Sequence, residues 1–89
     1  MAAQLAIGTT AANSADFTVV TALPKTLFLT GTSGALSADA TIELQIKSAA
    51  GDYYPVNTLN ITKRILFLEA PGVYRVARLA GPSVGVELL

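Results

Sequence analysis

Alternation is the clearest pattern along this chain. Between Thr41 and Lys47, Ile42-Glu43-Leu44-Gln45-Ile46-Lys47 places an apolar residue at every second position, as in a strand buried on one face. Phe17-Thr18-Val19-Val20-Thr21 and Lys25-Thr26-Leu27-Phe28-Leu29-Thr30 are rich in β-branched and aromatic residues and bounded by turn residues. Val73 to Leu79 and Val84 to Leu89 read as further strands. Arg64-Ile65-Leu66-Phe67-Leu68-Glu69 is a continuous apolar run, which predicts a strand covered on both faces. Shorter strands are expected to include Leu5 to Gly8 and Tyr53 to Val56, the latter confined to a sheet edge by Pro55.

Turn chemistry separates these runs at Gly31-Thr32-Ser33-Gly34, Ala49-Ala50-Gly51-Asp52, Ala70-Pro71-Gly72 and Ala80-Gly81-Pro82-Ser83. The helical candidate Ala35-Leu36-Ser37-Ala38-Asp39-Ala40 is flanked by Gly and Ser, so a loop or single turn is expected. About seven short strands spaced in this way predict an all-β fold, a single small antiparallel β-sandwich over residues 16–89. Residues 1–15 form an N-terminal arm or edge segment. In Ala70-Pro71-Gly72-Val73-Tyr74 a turn precedes Gly-x-Tyr at a strand start, as at the immunoglobulin-like corner where a Tyr hydroxyl ties back to the upstream backbone. The strands on either side then belong to different sheets. A plain hairpin would instead set Lys63 against Arg78, and like charges disfavour it.

Composition narrows the function classes. With no His and no Cys, the many Ser and Thr lack their usual activating base, and disulfides and Cys-based zinc sites are excluded. The 89 residues make one domain. Hydrophobic residues are 52% and charged residues 13%, with six cations balancing six acids. A neutral, charge-poor surface favours association, so a homo-oligomer or partner-bound protein is expected. It also lacks the basic footprint of a nucleic-acid binder. No apolar run approaches the ~20 residues that span a bilayer. The N-terminus has no basic secretory region, and Met1 points to a complete polypeptide made in the cytosol.

No motif supplies chemistry. Gly31-Thr32-Ser33-Gly34 is one residue short of a nucleophile elbow. Phosphate-loop glycine patterns are absent. Asp16, Asp39, Glu43, Asp52, Glu69 and Glu87 stand isolated in their segments, without the clustering that glycosidases or calcium sites need. Asn60-Ile61-Thr62 matches a glycosylation sequon only formally. The expectation is a non-enzymatic protein with no catalytic residues, cofactor or metal. Candidate interface residues are Leu5 and Ile7 in the Ala-rich arm, Arg75 and Arg78, and Leu89 in the apolar Leu88-Leu89 terminus. That terminus predicts a last strand covered by the second sheet on one face and by a subunit or partner on the other. Arg75 and Arg78 are expected on opposite faces of one strand, at least one pairing with an acid or reaching the rim. Tyr53 and Tyr54, beside Asp52 and Asn57, could stack sugars, or one ring could be core and the other cover an edge strand.

The stretch from Ala40 to Leu89 resembles small β-sandwich virion proteins of tailed bacteriophages, of the capsid decoration (cement) type. The resemblance is carried by Thr41-Ile42-Glu43-Leu44-Gln45-Ile46-Lys47, Gly51-Asp52-Tyr53, Ala70-Pro71-Gly72-Val73-Tyr74-Arg75-Val76 and Ser83-Val84-Gly85-Val86. It implies a protein that binds the major capsid protein or another virion protein and reinforces the head, on the capsid surface. The alternative is a glycan- or cell-surface-binding module of a fibre or adhesin, using Tyr53 and Tyr54.

Overall fold

The computed structural model describes residues 2–31, 36 and 38–89. Met1, Thr32, Ser33, Gly34, Ala35 and Ser37 lie outside them, and with them three residues of the expected Gly31–Gly34 loop and two of the expected Ala35–Ala40 turn. The described residues form strands β1 (Ala2–Gly8), β2 (Ala12–Asn13), β3 (Phe17–Val19), β4 (Lys25–Thr30), β5 (Thr41–Lys47), β6 (Tyr53–Asn60), β7 (Ile65–Leu68), β8 (Gly72–Arg78) and β9 (Val84–Leu88). All strand pairs are antiparallel, and two sheets pack face to face. Sheet 1 has the order β1-β9-β4-β7. Sheet 2 has the order β2-β8-β5-β6, with β3 also on β8.

The pairing is nested. β5 meets β6, β4 meets β7, β2 and β3 meet β8, and β1 meets β9, so the chain is one long hairpin. Successive rungs of that hairpin alternate between sheets, and wrapping it up adds the β4–β9 and β5–β8 ladders. This is the order of a double-sheet jelly roll. The expected antiparallel sandwich therefore forms, while its immunoglobulin-like strand order is replaced. In the immunoglobulin order the last two strands neighbour each other in one sheet. Here β8 and β9 lie in opposite sheets.

The core follows from period two. β5 buries Ile42 and Leu44, β8 buries Tyr74 and Val76, and β9 buries Val84 and Val86, closed by Leu27, Leu59 and Val19. Each such side chain contributes about 1.5–3 kcal/mol. Tyr74 stacks on Phe17 and donates its hydroxyl to the Ala70 carbonyl at 2.8 Å, tying the β7–β8 crossover as expected. β6 is an edge strand, as Pro55 requires, and bulges where Leu44 faces Asn57 but Gln45 faces Pro55, leaving Val56 over. Gly51 turns the β5–β6 hairpin at φ 94°, a conformation few side-chain-bearing residues adopt.

One expectation about strand cover is corrected. β7 is not covered on both faces: it is the outer strand of sheet 1, with Ile65 and Phe67 exposed. At the chain terminus the second sheet covers one face, and the other, expected to meet a subunit or partner, is open. Leu88 packs against the core, but Leu89 is exposed while its backbone bonds Thr26 in both directions.

Candidate interaction surface

Arg78 ends β8 and is the one buried charged side chain among the described residues. Its neighbours in register are Ala12 and Ile42, and it points between the sheets. Nε donates to the Thr10 carbonyl at 2.7 Å, and Nη1 donates to the carbonyls of Ala6 at 2.6 Å and Val84 at 2.9 Å. The Ala6 carbonyl is free because β1 slips register between Leu5 and Gly8. That slip needs Gly85, where a Cβ would stand 2.7 Å from the Leu5 carbonyl oxygen. Arg78 is thus a fastener for β1, not an interface residue. Its partners are main-chain carbonyls, so Arg78 is not the arginine that pairs with an acid or reaches the rim.

Arg75 occupies the outer face of sheet 2. Its Nε donates to Gln45 Oε1 at 2.6 Å, and its guanidinium lies 3.6 Å from the Tyr53 ring centroid. The Tyr53 hydroxyl donates to Asp16 Oδ1 at 2.7 Å, and Lys47 pairs with Asp16 Oδ2 at 3.3 Å. The Tyr53 hydrogen bond, aided by Lys47 and Arg75 and opposed by burial, holds the Asp16 carboxyl below its ordinary value. The same bond pushes the Tyr53 hydroxyl up. Tyr53 is therefore engaged on its ring and its hydroxyl. Tyr54 is adjacent on the strand, points to the opposite face and is exposed. The two rings do not form one stacking platform.

A groove of about 430 Å³ crosses the outer face of sheet 2. Asn13, Ala77, Glu43 and Thr58 lie side by side on four strands, and the small Ala77 leaves the hollow. Gln45 and the exposed Leu79 flank it, and Gln45 donates to Glu43 Oε1 at 2.7 Å. No group of three or more acidic residues able to hold a metal occurs among the described residues.

The remaining predicted residues separate. Leu5 is core, because β1 is an edge strand of the sandwich and Leu5 faces inward, so it leaves the interface set. Ile7 and Leu89 are exposed. Sequence reasoning missed Val20, Leu23, Ile65 and Phe67. Val20 and Leu23 cap the β3–β4 turn, held by the Leu23 amide on the Val20 carbonyl at 2.9 Å. The signal for Leu23 was an apolar residue directly before Pro24, where a turn normally carries polar groups. Leu89 bonds Thr26 near this turn, so Val20, Leu23 and Leu89 share one end of the sandwich. Comparison with family models, with curated proteins and with solved structures finds no match to this chain.

Proposed function

We propose that this protein is a non-enzymatic structural protein of a tailed-phage virion, a capsid decoration protein that binds the major capsid protein lattice and stabilises the head. The observation that carries this reading is the apolar end of the sandwich. Val20, Leu23 and Leu89 are all exposed there, in a chain with few charges. They stand on a turn and a strand end fixed by backbone hydrogen bonds, so little ordering entropy opposes docking. Jelly-roll sandwiches also serve as viral capsid domains. Repetition on a symmetric shell multiplies a weak single contact. The N-terminal segment is a poor target for deletion, since residues 2–8 form β1 and Leu5 is core. The test is occupancy of Leu23→Asp on expanded capsids of the phage that encodes the protein. Lost occupancy with unchanged folding supports the reading; full occupancy removes the apolar end from the mechanism.

A glycan-binding reading is favoured by one observation, the groove with Asn13, Glu43, Gln45 and Thr58 around Ala77. Planar amide and carboxylate groups beside hydroxyls suit the pairs of donors and acceptors on a sugar ring. Glycan-array binding abolished by Glu43→Ala, with no capsid association, would favour it over decoration.

A further inference from the structure

We propose that the groove on the outer face of sheet 2 takes a lysine side chain presented by a partner protein, with the ammonium seated over Ala77 between Glu43 and Asn13. This goes beyond both readings above, since it requires neither a capsid nor a sugar. Asn13, Ala77 and Glu43 stand in register on β2, β8 and β5. Strands lie about 4.8 Å apart, so Asn13 and Glu43 are held roughly 9.6 Å from each other across the methyl group of Ala77. Any larger side chain at that place would close the gap. Leu79, 76% exposed, lies two residues along the same face and lines the groove. The hollow thus joins a carboxylate wall to an apolar floor.

Glu43 names the occupant. Its carboxylate is half-buried, and no described cation lies within ion-pairing distance of it. Both arginines of β8 are committed elsewhere. Arg75 donates to Gln45 Oε1 and stacks on Tyr53, while Arg78, which borders the groove, turns between the sheets onto three carbonyls. Because Arg75 holds the Gln45 oxygen, Gln45 Nε2 is aimed at Glu43 Oε1. That relay fixes the carboxylate without neutralising it and leaves Oε2 open. A partly desolvated charge costs free energy that an incoming cation recovers. An ammonium has three donors and no acceptor, which suits Oε2 on one side and the Asn13 amide oxygen on the other. Its four-carbon stem lies along Ala77 and Leu79. A guanidinium fork takes both oxygens of a carboxylate, and Gln45 already holds one. A sugar would find no aromatic ring in the groove to stack on.

The test is an NMR titration of isotope-labelled protein with Nα-acetyl-lysine methylamide at low salt. The amides of Asn13, Glu43 and Ala77 should shift together, with a dissociation constant on the order of 1 mM. Glu43→Gln keeps an acceptor for Gln45 but removes the charge, and should weaken binding about tenfold. Ala77→Leu fills the hollow and should abolish it. Circular dichroism checks that both variants fold. The Nε-acetylated probe and the arginine analogue should each bind about tenfold more weakly than lysine. The proposal is overturned by absence of a saturable shift, or by equal affinity in Glu43→Gln or for either derivative. Glycan-array binding that is lost in Glu43→Gln yet untouched by excess lysine probe gives the groove to sugars and also overturns it. The occupancy test on Leu23→Asp reads another place, since β3 adjoins the Gly72 end of β8 and the groove lies at its Ala77–Leu79 end, so failure of either is told apart from failure of the other.

Discussion

Arg78 Nη1 lies 2.6 Å from the carbonyl oxygen of Ala6, a residue 72 positions earlier in the chain. One side chain at the end of β8 thereby holds the bulge of β1, the β1–β2 connection at Thr10 and the start of β9 at Val84. A buried guanidinium is tolerated because its carbonyl partners replace lost water. Arg78→Met fills similar space but strands three carbonyls. The expected loss is about 3 kcal/mol or more in urea unfolding, with Arg78→Lys in between. A loss below ~1 kcal/mol would mean the carbonyls find water instead.

Gly85 and Gly8 make room for that arrangement. Alanine at Gly85 collides with backbone, the Leu5 carbonyl oxygen at 2.7 Å and the Ile7 nitrogen at 2.8 Å, and neither can swing away. Gly85→Ala should cost about 2 kcal/mol. At Gly8 the obstacle is the Arg78 guanidinium at 2.9 Å. Gly8→Ala should therefore cost less in an Arg78→Met background than alone, a coupling that a double-mutant cycle in urea measures directly. Additive losses would separate the two residues.

Tyr74→Phe keeps the stacking on Phe17 and removes only the hydroxyl held by Ala70. About 1 kcal/mol should be lost. Tyr74→Ala also opens a cavity in the core and should cost about 3–5 kcal/mol. Thermal denaturation of both variants gives the division between ring and hydroxyl. A Tyr74→Phe protein as stable as wild type would show that the tie carries no separate weight.

The Asp16–Tyr53 bond makes stability depend on pH at both extremes. Asp16 titrates below its ordinary 3.8 in the folded protein, so its contribution is present above 3.8 and is lost as pH falls through the lower folded value. Tyr53 titrates above 10.0, so its contribution is complete below 10.0 and fades as pH rises through the raised value. The melting-temperature gap between wild type and Asp16→Asn should close on acidification below 3.8. In Tyr53→Phe the Asp16 carboxyl midpoint, followed by NMR, should move up towards 3.8. An unmoved midpoint would assign the shift to Lys47 and Arg75.

Local features were legible in the residues themselves. Alternation fixed β5 and its inward Ile42 and Leu44, the missing Pro55 amide put β6 at an edge, and Gly-x-Tyr announced the Tyr74 tie. Each depends on neighbours within a few positions, where backbone period and turn chemistry decide. Arg64 to Glu69 shows the boundary of such reasoning. Its apolar run suits a fully covered strand, yet β7 is the outer strand of its sheet, and nothing inside six residues states which strands will flank them. The fate of the two arginines was equally hidden: Arg75 meets Gln45 and Tyr53 on the outside, while Arg78 turns inward to a carbonyl freed by a slip in β1. The chain by itself determined strands, turns and a two-layer β body, because these are short-range consequences of pattern. The tertiary wrapping alone decided which edges stay open, which apolar side chains remain outside and where a buried charge finds its partners, because those depend on segments brought together from opposite ends of the sequence.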